Sequence, residues 1–177
     1  MKIFKTEYLF ILCMSFCLNS YAQDDVVFPK GEKGYEALYQ RNIKKSRING
    51  IYIPANLEEA FTELDDLSPD GAKIKFTNAP EDIIATKLHF GLGRWISVYW
   101  NFTEGSRYVE YLRQLGLADH DHMIQFTIVS YHRYKNNRPL DIEGQIEVYK
   151  ILTEEKRQEM LKRRQLISTE TKPIKKG

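Results

Sequence analysis

The sequence predicts a mainly helical fold, and three observations carry that expectation. Apolar residues recur at spacings of three and four from Leu57 to Tyr149. Stretch after stretch opens on a cap residue or a proline. The one strand-like run, Met123 to Tyr134, finds no second run of comparable quality to pair with. The expected architecture is a compact bundle of about five to seven short helices, with a cleavable signal helix before it and a long helix at its C-terminus.

Residues 1–22 read as a signal peptide. Lys2 and Lys5 supply its positive start, an apolar stretch runs from Tyr8 to Leu18, and Ser20-Tyr21-Ala22 offers small residues for cleavage before Gln23. The apolar run falls short of the roughly 20 residues that span a bilayer. Residues 23–33 read as an irregular leader and Tyr35–Lys45 as a short helix, so 23–48 forms a leader segment ahead of the domain.

The helical domain proper is expected over 49–150. Asn49-Gly50 marks a turn before the extended Ile51-Tyr52-Ile53-Pro54. Asn56 is placed to cap a helix, with Glu59 three residues on in capping-box register and Leu57, Ala60, Phe61 and Leu64 behind it. Ser68-Pro69-Asp70 opens a second helix, with the serine hydroxyl as its cap, and Asn78-Ala79-Pro80-Glu81-Asp82 opens a third by the same logic. The third helix carries the stripe Ile84, Leu88, Leu92, Trp95, Ile96 and Tyr99 through Gly91 and Gly93. Two glycines so close cost about 2 kcal/mol in a helix interior, which points to a break or a close backbone approach. Gly105-Ser106-Arg107 starts another helix with Tyr108, Tyr111, Leu112 and Leu115, ended by Gly116.

Met123–Tyr134 alternates like a strand at Ile124, Phe126 and Ile128, but as a helix it is apolar on nearly all sides, as a central buried helix is. With Asp119 as a cap, helix is the reading adopted. Asp141 caps the last helix, expected to run to about Leu166. Residues 151–177 are read as an extension of that helix followed by a disordered basic tail from Ser168.

Composition narrows the function. The net charge of +2 becomes +1 once Lys2, Lys5 and Glu7 leave with the signal, too little to argue for nucleic acid by bulk electrostatics. Both cysteines, Cys13 and Cys17, lie in the signal, so the exported chain has no thiol for a disulfide, a zinc site or a nucleophile. The expectation is an exported protein, periplasmic or extracellular, without stable membrane insertion after cleavage and without a cofactor.

All four histidines fall between positions 89 and 132. His120-Asp121-His122 has the residue types of a metal site, but side chains at i and i+2 of a helix diverge, so no metal is assigned. His89 lies beside Arg94 and Trp95, and His132 beside Arg133 and Tyr134. An imidazole with a guanidinium and aromatic rings suits an anionic or planar ligand, and nearby arginines favour the neutral imidazole that a general base needs. His89 and His132 are therefore the catalytic candidates, with Arg94, Trp95, Trp100, Arg133 and Asp121 as candidate ligand contacts. Trp100 is phased away from the Leu92–Trp95–Tyr99 stripe and is expected to expose its ring.

Leu88-His89-Phe90-Gly91-Leu92-Gly93-Arg94-Trp95 and Ser130-Tyr131-His132-Arg133-Tyr134, with Ile51-Tyr52-Ile53-Pro54 upstream, resemble a bacterial domain family of unknown function found in small proteins, some of them exported. The likeness runs from about Asn49 to Tyr149. It implies a mostly helical domain and brings no activity with it. Family members tend to read His-Pro-Asp-Asp-Met where this chain has Asp119-His120-Asp121-His122-Met123, which weakens a metal role there. Two functions follow. The leading one is a non-catalytic binding or interaction module of the cell envelope, its partner an envelope protein or a small ligand. The alternative is a small hydrolase or lyase using His89 and His132 with Arg94, Arg133 and Asp121, which requires those residues to share one cleft.

Overall fold

The structure is a computed structural model that describes residues 31–170. The signal peptide, the first part of the leader and the last seven residues lie outside the described residues. The fold is mainly helical, as expected, and its only strands among the described residues are two of two residues each.

Helix α1 (Gly31–Asn42) begins within what the sequence suggested was irregular leader, with Glu32 in its first turn, and stops three residues short of Lys45. Strands β1 (Arg47–Ile48) and β2 (Ile51–Tyr52) pair antiparallel across Asn49-Gly50, whose φ values of 51° and 80° are both positive. Asn-Gly tolerates that left-handed pair, and the tight turn it makes matches the twist of the strands it joins.

Helix α2 (Leu57–Leu67) is capped as expected: the Asn56 side chain accepts from the Glu59 N–H at 2.9 Å. Glu59 completes the box one residue further back, accepting from the Ala55 N–H at 2.7 Å, and also takes the Tyr52 hydroxyl and Arg107. Helices α3 (Asp70–Thr77) and α4 (Glu81–Leu88) start without a side-chain cap, at Pro69 and Pro80. Ser68, expected to cap α3, instead closes α2, its N–H bonded to the Asp65 carbonyl.

The two glycines give both the break and the close approach. His89–Gly93 forms a π turn, in which the Arg94 N–H reaches back five residues to the His89 carbonyl. A Cβ on Gly93 would stand 2.9 Å from Ile124 Cγ2, whereas Gly91 faces open space. Helix α5 (Arg94–Tyr99) leads to α6 (Arg107–Gln114), where Ser106 accepts from the Val109 N–H.

Helix α7 (His120–Lys135) is the central helix that its all-round apolarity predicts. Asp119 caps it, accepting from the Asp121 and His122 N–H groups, and nine of its residues are buried. Helix α8 (Ile142–Glu170) packs its first turns on α7 through Ile146 and Tyr149 and then runs on exposed. It passes Leu166 and Ser168, expected as its end and as the start of disorder. Pairs one turn apart, such as Arg163–Glu159 at 2.6 Å, support that length.

The core lies where α2, α5, α6 and α8 meet α7. Trp100 corrects the sequence reading. Its ring, expected at the surface, is fully buried, edge-on to Tyr108 at 5.0 Å and to Trp95 at 5.8 Å. The extra residue in the π turn rotates everything after it, so Trp100 follows Ile96 inward while Val98 and Tyr99 turn out.

Candidate functional site

His132 sits near the C-terminal end of α7, 3 % exposed. Its Nε2 lies 3.0 Å from the Ala79 carbonyl, which can only accept, so this nitrogen carries the proton and donates it. The ring stands edge-on to Phe76, and its Nδ1 points towards Glu81, 4.0 Å from the carboxylate. The partner beside this histidine is therefore a carboxylate.

Arg133 is equally committed. Its Nε and Nη2 donate to Glu81 Oε1 at 3.0 and 2.7 Å, and its Nη1 donates to the Leu140 carbonyl at 2.9 Å. Arg138 stands 2.6 Å from the other Glu81 oxygen, and Asp141 lies 3.7 Å from Arg133. The Arg133 hydrogen bond holds the Glu81 carboxyl below the usual carboxylate range, against the opposing effect of burial. This cluster pins the start of α4 to the end of α7 and to the connection before α8. Glu81 attracted notice in the sequence only as an acid near a helix start.

His89 lies at the other end of α4. Its ring is edge-on to Phe90, which is 85 % exposed, and its Nδ1 is buried without a hydrogen-bond partner among the described residues. Since Glu81 faces His132 and Gly93 faces Ile124, α4 and the π turn run antiparallel to α7. Eight residues separate Glu81 from His89, a rise of about 12 Å, and among the described residues the ring and polar contacts of the two imidazoles are made with different residues. Asp121 is exposed on the first turn of α7, 3.4 Å from Lys156. It stands about 16 Å along the axis from His132.

Arg94 is exposed at the start of α5, and Trp95 stacks half-buried on Tyr99 at 5.0 Å. The residues on which a hydrolase or lyase would depend are therefore dispersed, and most are already bonded. His120 packs edge-on to Phe102, and burial pushes its pKa down. His122 bonds Thr153 at 2.7 Å and packs against Tyr149. Among the described residues no three histidine, cysteine or carboxylate side chains converge on a common point.

What the fold does build is a cleft of about 470 Å³ between α3, α4, the π turn and α7. Tyr131 and Phe76, stacked at 5.0 Å, form its floor, with Ile84, Leu88 and Leu92 along one wall. Small residues of α3 and the following turn contribute to the space, beside the larger Lys73, Lys75 and Phe76. Ala72 and Ala79 line the opening where a leucine would fill it. Tyr131 does not offer its hydroxyl to the cleft, since it donates to Asp65 at 2.6 Å. Burial raises the Asp65 carboxyl, but hydrogen bonds from Lys135 and Tyr131 outweigh it and keep the group ionised.

Sequence reasoning missed this cleft because it looked for reactive side chains. The available signal was an eight-residue helix, Asp70–Thr77, with Ala72 one turn before Phe76, set against a long apolar one. A second cleft, of about 530 Å³, lies between α2, Tyr111 and Leu140, and its lining includes Glu58 beside Phe61 and Tyr134.

Residues 53–135 match the family model described as a domain of unknown function (DUF6794). This segment runs from the end of the hairpin to the end of α7, so the whole Tyr131–Phe76 cleft lies inside it while α1 and α8 lie outside. No curated protein and no solved structure matches the chain.

Proposed function

We propose that this protein is an exported, non-catalytic binding module, and that the Tyr131–Phe76 cleft is where it binds a small apolar ligand. One observation supports this above the rest: the matched segment, residues 53–135, forms a largely apolar cleft of about 470 Å³, within the size range of small-molecule sites. The polar groups beside it are committed to structure. Tyr131 is bonded to Asp65, His132 to the Ala79 carbonyl and Arg133 to Glu81, so the interior of the cleft is left to apolar surface and only its rim carries lysines. Export rests on the N-terminal residues, and among the described residues no helix is long and apolar enough to cross a membrane.

Calorimetric titration of the purified protein with dodecan-1-ol tests the cleft. Saturable binding is expected, and Ala72→Trp, which places an indole over the opening, should abolish it. Binding left intact by that variant overturns the assignment. N-terminal sequencing of the protein from its native host tests export, with Gln23 expected as the first residue; a cytosolic protein still carrying residues 1–22 overturns it.

A further inference from the structure

We propose that the ligand of this cleft is an anionic single-chain amphiphile, a fatty carboxylate, with its chain in the cavity and its carboxylate at the rim between Lys75 and Lys87. This rests on the binding reading above and adds the chemical class of the ligand. Basic and acidic residues are nearly balanced over the protein as a whole, 26 lysines and arginines against 24 aspartates and glutamates. The rim departs from that balance: Lys73, Lys75 and Lys87 line the cleft, and no acidic side chain does so among the described residues.

Lys73 lies within the field of the Asp65 carboxylate, which takes part of its charge. Lys75 on α3 and Lys87 on α4 are exposed and form no ion pair among the described residues. They stand on the two helices that make the opposing lips of the cleft. Two ammonium groups above an apolar cavity complement a molecule that is apolar along its length and negative at one end. The type of cation narrows the head group. Arginine supplies the planar fork that suits phosphate, and none lines this rim, whereas lysine is a point charge sufficient for a monoanion.

The test is a pair of calorimetric titrations below the micellar concentration, one with dodecanoate and one with dodecan-1-ol, which share a chain and differ in charge. Dodecanoate should bind about tenfold more tightly at low ionic strength, with the advantage shrinking as NaCl is added. The double variant Lys75→Gln, Lys87→Gln should reduce dodecanoate to the affinity of the alcohol and leave the alcohol unchanged. Both lysines are exposed, so circular dichroism should report an intact fold. Equal affinities for the two probes, or tighter binding of the alcohol, overturn the charge assignment and leave the binding reading standing. If neither probe binds, both fail. Binding to anionic vesicles without binding to monomeric dodecanoate also overturns this proposal, because it would move the negative surface from a ligand to a membrane.

Discussion

The two flanks of α7 meet its neighbours in different ways. On the α5–α6 flank, Trp100, Tyr108 and Phe102 fill the space with rings at centroid distances of 5.0 and 6.4 Å, and the Tyr108 hydroxyl meets Thr127 of α7 at 2.9 Å. Burial pushes the Tyr108 phenol well above its ordinary range. On the α3–α4 flank, Phe76 and Tyr131 are stacked just as closely, yet alanines stand opposite them and a cleft remains. Both flanks set apolar rings against α7, and the open one adds a rim of lysines. Three large rings arrive in phase on the sealed flank, whereas the open flank meets α7 with Phe76 and leaves Ala72 and Ala79 beside it.

Substitutions on the two flanks should therefore differ in cost, and the largest loss is expected at the sealed one. Trp100→Ala should lower unfolding stability by about 3–5 kcal/mol in a denaturant titration. Trp100→Phe should cost much less, because it keeps most of the ring volume and removes an indole N–H that has no hydrogen-bond partner among the described residues. Equal losses for the two variants would show that the flank does not depend on volume.

Next comes the polar staple that holds the open flank to α7. Glu81→Gln should cost about 1–2 kcal/mol at neutral pH, given a site that is only partly solvated. The Glu81 carboxyl is held below its unfolded value, mainly by the Arg133 hydrogen bond. Its contribution is thus complete above an unfolded pKa of about 4.3 and is lost as pH falls through the lower folded value. Denaturation midpoints at pH 7 and pH 3 should diverge more for the native protein than for Glu81→Gln. Identical pH dependence would remove Glu81 from the account.

A smaller effect is expected at the π turn. Gly93→Ala must displace Ile124 and should destabilise by about 1 kcal/mol or more. Gly91→Ala, facing open space two residues away, should be neutral or slightly stabilising. The smallest change belongs to the open flank. Ala72→Trp lies at an exposed lip and should alter stability by less than about 0.5 kcal/mol while it blocks dodecan-1-ol. A large destabilisation there would mean that the flank is already packed.

Much of the fold could be read residue by residue. The caps at Asn56 and Asp119, the Asn49-Gly50 hairpin turn and the central place of α7 all stand where the sequence put them. The candidate site was far less legible. His89, His132, Arg133 and Asp121 drew attention as reactive types, but the roles of His132 and Arg133 depend on what faces them from about fifty residues away. Glu81 beside Arg133 and Ala79 beside His132 are cases of this kind. Trp100 shows the same limit: one residue inserted in a helical turn rotates the side chains that follow it in that helix by about 100°.

What the sequence determined by itself was local: which segments coil, where they start and which of them is apolar all round. Those outcomes rest on torsional preferences and on hydrogen bonds between residues three or four apart, whose partners are known once the order of residues is known. The tertiary structure alone decided that α3 and α4 stand apart over Tyr131, that Trp100 is sealed in, and that lysines from two helices share one rim. Voids and charge clusters are properties of the space between helices, set by how closely two backbones approach and how much volume each delivers to the gap.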